Sequence, residues 1–335
     1  MSITIKYIAE LAGTSIATVS RVISNDSRIS ERTRSKIIKI IVQHGYQPNL
    51  FAKGLASKLS YNIGVLLPNP AKNVNIHSLK AVRGIISQAK HHGYNVLLLT
   101  GNSEQDVLQS IESRYKGRSM DGLILFYTSD RDDVISYLNL SGIPFVLIGR
   151  NMKHADIHAV DYDQFQAAWD ATHFLVQLNH QNIAILHGPE HVTIQSDRMK
   201  GYQLALQSSR IEPNPDWCIV VEKDEEDIIV WTWINSPERP TAIIVQDDDT
   251  ALKVVRALAK LKLKVPDDVS IVSFSQDTMG ELVSPSLTAV HTDSYSHGYE
   301  AASMLLQLLK GTRIESNRKI LPHGIKVRES TRRID

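Results

Sequence analysis

Residues 4–24 read TIKYIAELAGTSIATVSRVIS, and this stretch decides the architecture of the amino-terminal end. Ile5, Ile8, Ala9, Leu11 and Ala12 recur at helical spacing, with Thr4 as a cap before them and Gly13 as a breaker behind. Tyr7 stands where a capping box would place Glu or Gln. Ser15 caps a second helix, which turns Val19, Val22 and Ile23 inward. Ser30 caps a third, lined by Ile37, Ile38, Ile41 and Val42 and closed by Gly45. Two short helices joined by a tight glycine turn make a helix-turn-helix. The bland alternative is a small structural bundle. Two features favour a nucleic-acid role. The second helix offers Ile16, Ala17, Thr18, Ser20 and Arg21, short contact groups plus one arginine able to reach base edges. Arg28, Arg32, Arg34, Lys36 and Lys39 then cluster on and before the third helix, where phosphate contact competes with a merely solvated face.

The charge distribution supports that reading. The chain has 335 residues and a net charge of +1, but residues 1–60 hold nine Lys/Arg against three Asp/Glu, and the remainder is net −5. A basic head on a mildly acidic body points to an anionic partner for the head. The length allows about two domains, and 42% hydrophobic with 22% charged residues is ordinary for a globular protein. The single cysteine, Cys218, excludes an internal disulfide framework and suits a reducing compartment, where an inert buried thiol is expected. The first residues lack the pattern of a signal peptide, and no run of about 18 apolar residues offers a membrane span, so no membrane partner and a cytoplasmic, nucleoid-associated location are expected.

Beyond the head, Pro48 stops the third helix and Asn49 can cap a short helix carrying Leu50, Phe51, Ala52 and Leu55. So short a helix needs a partner to form. An exposed leucine there suits a minor-groove wedge. The alternative is a flexible linker, which Gly54 favours, because glycine costs a helix about 1 kcal/mol against alanine. The chain divides on this reading into a helix-turn-helix at 1–46, a hinge at 47–61 and a body at 62–335.

In the body, apolar runs at 63–67, 95–99, 123–126, 145–148, 183–186, 219–221, 242–245 and 270–274 alternate with helical patterns at 80–91, 130–140, 164–178, 199–207, 250–261 and 294–309. That alternation implies doubly wound parallel sheets, in two lobes rather than one. No GxGxxG, GxxxxGK[ST], GxSxG or HExxH occurs, the 13 histidines are scattered, and neither cofactor nor metal is expected. Asp247-Asp248-Asp249 reads as the cap of a helix starting near Thr250, with one carboxylate left to face a cleft. Ligands of open α/β sheets bind beyond the carboxyl ends of the strands. That rule nominates 68–77, 149–151, 187–198, 246–248 and 275–277. Arg198 is the strong donor fork among them, with a helix-start salt bridge as its bland alternative, and Asp161 and Asp247 are paired acceptors. Arginine with carboxylates is a chemistry for gripping a polyol.

The motifs TIKYIAELAGTSIATVSRVIS, SERTR (30–34) and GYQPNLFAKGL (45–55) resemble the head and hinge of the LacI/GalR family of bacterial repressors. DYDQFQAA (161–168), SDRMKGY (196–202), VPDDVSIVSF (265–274), SPSLTAV (284–290) and IKVRESTR (325–332) resemble its effector domain, so the likeness covers essentially the whole chain. The resemblance implies a helix-turn-helix head and hinge joined to a two-lobed α/β domain similar to periplasmic binding proteins, with three chain crossings. One lobe would use about 62–159 and 291–319, the other about 160–290 and 320–335. It implies a dimeric, ligand-responsive repressor of a palindromic operator and no enzyme activity. Against DNA it places Ile16, Ala17 and Arg21 in base reading and Asn49, Ala52 and Leu55 in the hinge. Thr4, Ser15, Thr18, Ser20, Asn25 and Arg28 complete the expected DNA-facing set. For the effector it implicates Arg198 and Asp247, and the cleft adds Asn75, His77, Arg150, Asp161, Asp163, Ser275 and Gln276.

Three departures bear on ligand choice. Ser275-Gln276 stand where many members carry Asp. VDYDQFQAA with SFS resembles the maltose-type branch, which points to maltose or another α-glucoside. Asn75-Ile76-His77-Ser78 replace a ligand-stacking aromatic segment, for which Trp217, Trp231 and Trp233 are substitutes unless they are core. The chain ends soon after the RESTR motif, so a dimer is expected rather than a tetramer. A purine or sugar-phosphate effector, a sugar-binding module without a DNA role, and an enzyme on the same lobes are the competing readings.

Overall fold

The computed structural model describes residues 3–24, 26–46, 54, 57–67, 76–126, 133–151, 153–154, 156–189, 192–221, 225–275 and 279–335, with the backbone alone at 76, 77 and 275. The chain separates into two compact units, 1–61 and 62–335.

The first unit holds α1 (Ile5–Ala12), α2 (Ile16–Ile23) and α3 (Glu31–Gln43). All three begin on the residues the sequence marks as caps. The hydroxyls of Thr4, Ser15 and Ser30 accept the N–H of Tyr7, Thr18 and Thr33 at 3.3, 3.1 and 3.4 Å. Gly13 ends α1 in the left-handed region at φ 63°, which glycine enters without steric cost. Ile8, Ala9, Ala12, Val19, Val22, Ile37 and Tyr46 close a small core. Ile38 and Val42, expected inside, are 46% and 74% exposed. Too few apolar contacts exist in so small a unit to bury every helical stripe in full.

The second unit carries two six-stranded sheets. The first comprises β1 (Asn62–Leu66), β2 (Asn95–Leu99), β3 (Gly122–Phe126), β4 (Phe145–Ile148), β5 (Ala159–Tyr162) and β11 (Arg318–Leu321), ordered β11-β5-β4-β3-β1-β2 and parallel throughout. The second comprises β6 (Ile183–His187), β7 (Cys218–Val220), β8 (Ala242–Val245), β9 (Ser270–Ser275), β10 (Thr288–His291) and β12 (Gly324–Lys326), ordered β12-β10-β9-β8-β6-β7. Its single antiparallel pair is β10 with β12. Helices α4 (Ile76–His91), α5 (Glu104–Lys116), α6 (Asp133–Ser141) and α11 (Ser294–Leu309) serve the first sheet; α7 (Gln164–Gln177), α8 (Thr193–Ser208), α9 (Glu226–Ile234) and α10 (Asp248–Lys260) serve the second. Strands buried on both faces read as unbroken apolar runs, as in GLILF of β3.

The sheets correct the expected lobe boundaries. β5 and β11 lie whole in the first sheet, so the chain changes lobe between Tyr162 and Gln164, between His291 and Ser294, and between Leu321 and Gly324. The expected cuts at about 159/160, 290/291 and 319/320 each fall inside a strand, β5, β10 and β11 in turn. Close helix packing seals each lobe. A Cβ at Gly298 of α11 would stand 1.8 Å from the Ala81 carbonyl oxygen of α4, and one at Gly201 of α8 would stand 2.2 Å from that of Phe165 on α7. Among the described residues no helix is long and apolar enough to cross a membrane.

Candidate functional site

In the head, α2 turns Val19 and Val22 into the core and leaves Ile16, Ala17, Ser20 and Arg21 exposed, Ile16 at 48%. Thr18 is half-buried and its hydroxyl lies 2.9 Å from that of Ser15, so both also serve the cap. Arg28 is held beside α2 by Asp26, Nε to Oδ1 at 3.0 Å and Nη2 to Oδ2 at 2.7 Å, and the guanidinium keeps the Asp26 carboxyl well below the usual range. The basic cluster divides. Arg32 and Lys39 stay exposed. Lys36 Nζ donates to the Ala12 carbonyl at the end of α1 at 2.8 Å, and Arg34 Nη2 to the Asp26 carbonyl at 2.6 Å. These two cations therefore tie the head together, a role their charge alone did not reveal.

Asn25, Asn49, Ala52 and Leu55 lie outside the described residues. At Gly54 a Cβ would sit 2.7 Å from the Leu59 carbonyl oxygen, so the missing side chain also permits a close backbone approach.

In the body, the carboxyl ends of the strands present an arginine from each sheet. Arg198, on the first half of α8, is 5% exposed. Nε donates to the Gln164 side-chain carbonyl at 2.9 Å, Nη1 to the Gln246 backbone carbonyl at 3.0 Å, and the guanidinium lies 3.8 Å over the Phe274 ring. Those bonds go to neutral oxygens, so the helix-start salt bridge, the bland alternative for this arginine, is not made. Burial draws its pKa down to about 9 against the opposing pull of Asp247. Gln164 and Phe274 are supporting residues that sequence reasoning missed, and Gln246 falls in the nominated 246–248 segment without having been singled out. Phe274 lies in the quoted VSIVSF run, but nothing local in the chain ties it to Arg198.

Asp247 caps α10, its Oδ1 accepting the Thr250 N–H at 2.8 Å, as the aspartate run predicted. Asp248 is buried and accepts from the Ser273 hydroxyl at 2.5 Å. Asp163 caps α7 by the same device, at 2.9 Å to Gln166 N. Asp161, 4% exposed on β5, takes the Tyr162 N–H at 2.8 Å and the Arg318 guanidinium at 3.3 Å, and burial pushes its pKa up to about 6. Asp161 thus stands on β5 of the first sheet and Asp247 caps the helix that follows β8 of the second, each beside a different arginine. Arg150, just beyond β4, forms an ion pair with Asp197 of α8. Asn75 and Gln276 lie outside the described residues; His77 belongs to α4 and Ser275 ends β9 opposite His291. Trp217 and Trp233 are core, the latter donating to the Asp216 carbonyl at 2.9 Å, whereas Trp231 is 57% exposed. No group of acids, histidines and cysteines among the described residues could hold a metal ion.

Comparison with known proteins converges on one class. The model of bacterial regulatory proteins, lacI family, matches residues 4–49, and that of a periplasmic binding protein-like domain matches 172–331. Catabolite control protein A of Priestia megaterium is 31% identical over 335 residues, spanning 99% of this chain and 100% of that protein. The lac repressor dimer bound to operator and the anti-inducer ONPF is 26% identical with a TM-score of 0.79, covering 99% of this chain and 100% of the other. A CelR–cellobiose complex, also a transcriptional regulator, is 25% identical with a TM-score of 0.74, covering 98% and 99%.

Proposed function

Because the chain belongs to the lacI family of bacterial regulatory proteins, we propose that it is a cytoplasmic transcriptional repressor. It binds a palindromic operator as a homodimer and responds to a sugar held between its two lobes. The observation that carries the DNA half is α2, whose contact residues Ile16, Ala17, Ser20 and Arg21 are exposed while its apolar side closes the head core. Such a helix enters a major groove, with Arg21 as its donor to a base edge. Supporting the dimer, Leu79 and Ile86 on α4 and Leu98 on β2 are 52%, 45% and 55% exposed, and Ile228, Trp231 and Leu282 of the second lobe 69%, 57% and 84%. Leu79 and Ile86, seven residues apart on one face of α4, make an exposed apolar strip of the kind a second copy of the chain would cover. A two-fold pair would present two recognition helices to two half-sites.

The ligand half rests on Arg198. A buried guanidinium preset by Gln164, Gln246 and Phe274 needs no rearrangement to donate to a sugar hydroxyl. Maltose and related α-glucosides are the first candidates. A phosphorylated sugar is the second reading, favoured by Arg150, a further cation beyond the strand ends.

Selection of bound sites from random duplex DNA tests the first half. Enriched inverted repeats are expected, and Arg21→Ala should lower preferred-site affinity by about 1–3 kcal/mol and relax preference at one base pair. Recovery of no inverted repeat would overturn it. Thermal shift against maltose, other α-glucosides, hexoses, sugar phosphates and purines tests the second. A shift with a sugar that disappears in Arg198→Ala supports the cleft; a shift with a purine alone rejects the sugar.

A further inference from the structure

We infer that Arg150 and Asp197 form an electrostatic latch between the two lobes of the body. The inference rests on the two-lobed geometry, and on the reading above only insofar as lobe motion serves regulation.

Arg150 is fixed from the first lobe. β4 ends at Ile148, and Gly149 then donates to the Val160 carbonyl of β5 at 2.8 Å in a backbone conformation of φ 110° that favours glycine. That turn carries Arg150 off the end of the sheet. Asp197 is fixed from the second lobe. Its neighbour Arg198 anchors the same turn of α8 to Gln164 and Gln246. One residue of α8 therefore binds the helix to its own lobe, and the residue before it reaches to the other lobe.

The contact runs from Arg150 Nη2 to Asp197 Oδ2, with side chains 25% and 16% exposed. Partial burial raises the Coulomb attraction above that of a surface pair. The grip is single. Arg150 Nε is buried and has no acceptor among the described residues, so the two-bond fork of the strongest Arg–carboxylate pairs is not made. Asp161, on the strand beside β4, also attracts Arg150 and is itself engaged by Arg318. The guanidinium thus lies under the influence of an acid from each lobe and can let go of Asp197 without becoming uncompensated. Arg318–Asp161, Lys319–Glu300 and Arg328–Glu281 each stay within one lobe, so lobe rotation leaves them unchanged. Arg150–Asp197 is made in one lobe arrangement and lost in another, which is what lets a contact bias a two-state equilibrium.

The test uses the ligand-free full-length chain, labelled with donor and acceptor dyes at Ser113→Cys and Glu212→Cys in a Cys218→Ser background and diluted with unlabelled chain. Ser113 is exposed on α5 of the first lobe and Glu212 is exposed after α8 in the second. Arg150→Glu and Asp197→Arg should each lower energy transfer, shifting the lobe equilibrium on the order of tenfold. The exchanged pair Arg150→Glu with Asp197→Arg should recover most of it. High salt should move the parent chain toward the single variants. Should a reversal fail to fold, Arg150→Gln and Asp197→Asn test the same contact by the same loss of transfer. Unchanged transfer in the single variants overturns the latch, and so does a loss that the exchanged pair does not recover. Recovery by exchange without any selected operator would sustain the latch and reject the regulatory reading. An intact operator response with unchanged transfer would do the reverse.

Discussion

Arg21 in the head and Arg198 in the body carry the same guanidinium into opposite settings. Arg21 is exposed, with only the attraction of the nearby Asp26 carboxylate on it, while Arg198 is 5% exposed and held on two of its nitrogens and over one face. The head leaves Ile16, Ala17, Ser20 and Arg21 exposed and builds only enough core to hold a helix in place. The body spends many neutral groups on orienting one cation before any ligand arrives. A partner with a rigid, highly charged surface can be met by solvated side chains, because phosphates supply most of the attraction. A small polyol offers only hydroxyls, so the site must be arranged beforehand.

The contrast can be broken or sharpened by substitution. The largest effect is expected from Gly298→Val. Its Cβ would fall 1.8 Å from the Ala81 carbonyl oxygen, where backbone cannot yield, so α4 and α11 must separate at a cost above about 4 kcal/mol. Denaturant unfolding of the body should shift accordingly while the head keeps its own transition. An unchanged body midpoint would mean that the helix pair is not tightly packed.

Next comes the buried acid. Asp161 binds its proton more tightly folded, at a pKa of about 6, than at its ordinary 3.8 in the unfolded chain. Stability is therefore lost as pH rises from about 4 to about 6, by roughly 3 kcal/mol in all. Asp161→Asn should remove that dependence, so the stability gap between variant and parent must grow with pH over this window in urea titrations. A constant gap would show that Arg318 already compensates the charge.

The smallest effect belongs to the head. Ser15→Ala removes the acceptor of the Thr18 N–H and should cost about 1 kcal/mol of head stability, with body unfolding unmoved. Amide exchange in α2 would report it. Unaltered protection there would assign the cap to the Ser15 backbone rather than to its hydroxyl.

Much of the fold was legible in single runs. The three head helices, their caps, and β2, β4 and β8 lie where the spacing of apolar residues puts them. β5, β10, β11 and β12 did not announce themselves. AVDY breaks an apolar run with a buried Asp, and RKIL and GIK sit at sheet edges, where solvent accepts polar side chains. Helices α5 and α9 were passed over as well. EQDVLQSIESRYK is polar on most of its circumference, and EDIIVWTWI is apolar on nearly all of it, so neither shows a helical stripe. Within the site, Asp247 was legible as a cap because a cap is a contact three residues long, whereas Asp163, which caps α7 in the same way, was expected only at the cleft.

The sequence by itself determined the modules: a helix-turn-helix whose caps, glycine turn and exposed arginine are local facts, and an alternation of apolar runs and helices that makes the sheets mainly parallel. Tertiary structure decided which sheet each edge strand joins, that Lys36 and Arg34 brace the head, that Arg198 faces neutral oxygens, and that Arg150 meets Asp197. Caps and periodicities are set over a few residues of chain. Those side-chain pairings join groups up to 48 residues apart, Arg318 of edge strand β11 meets Asp161 of β5 across 157, and the partners are chosen by which strands and helices end side by side.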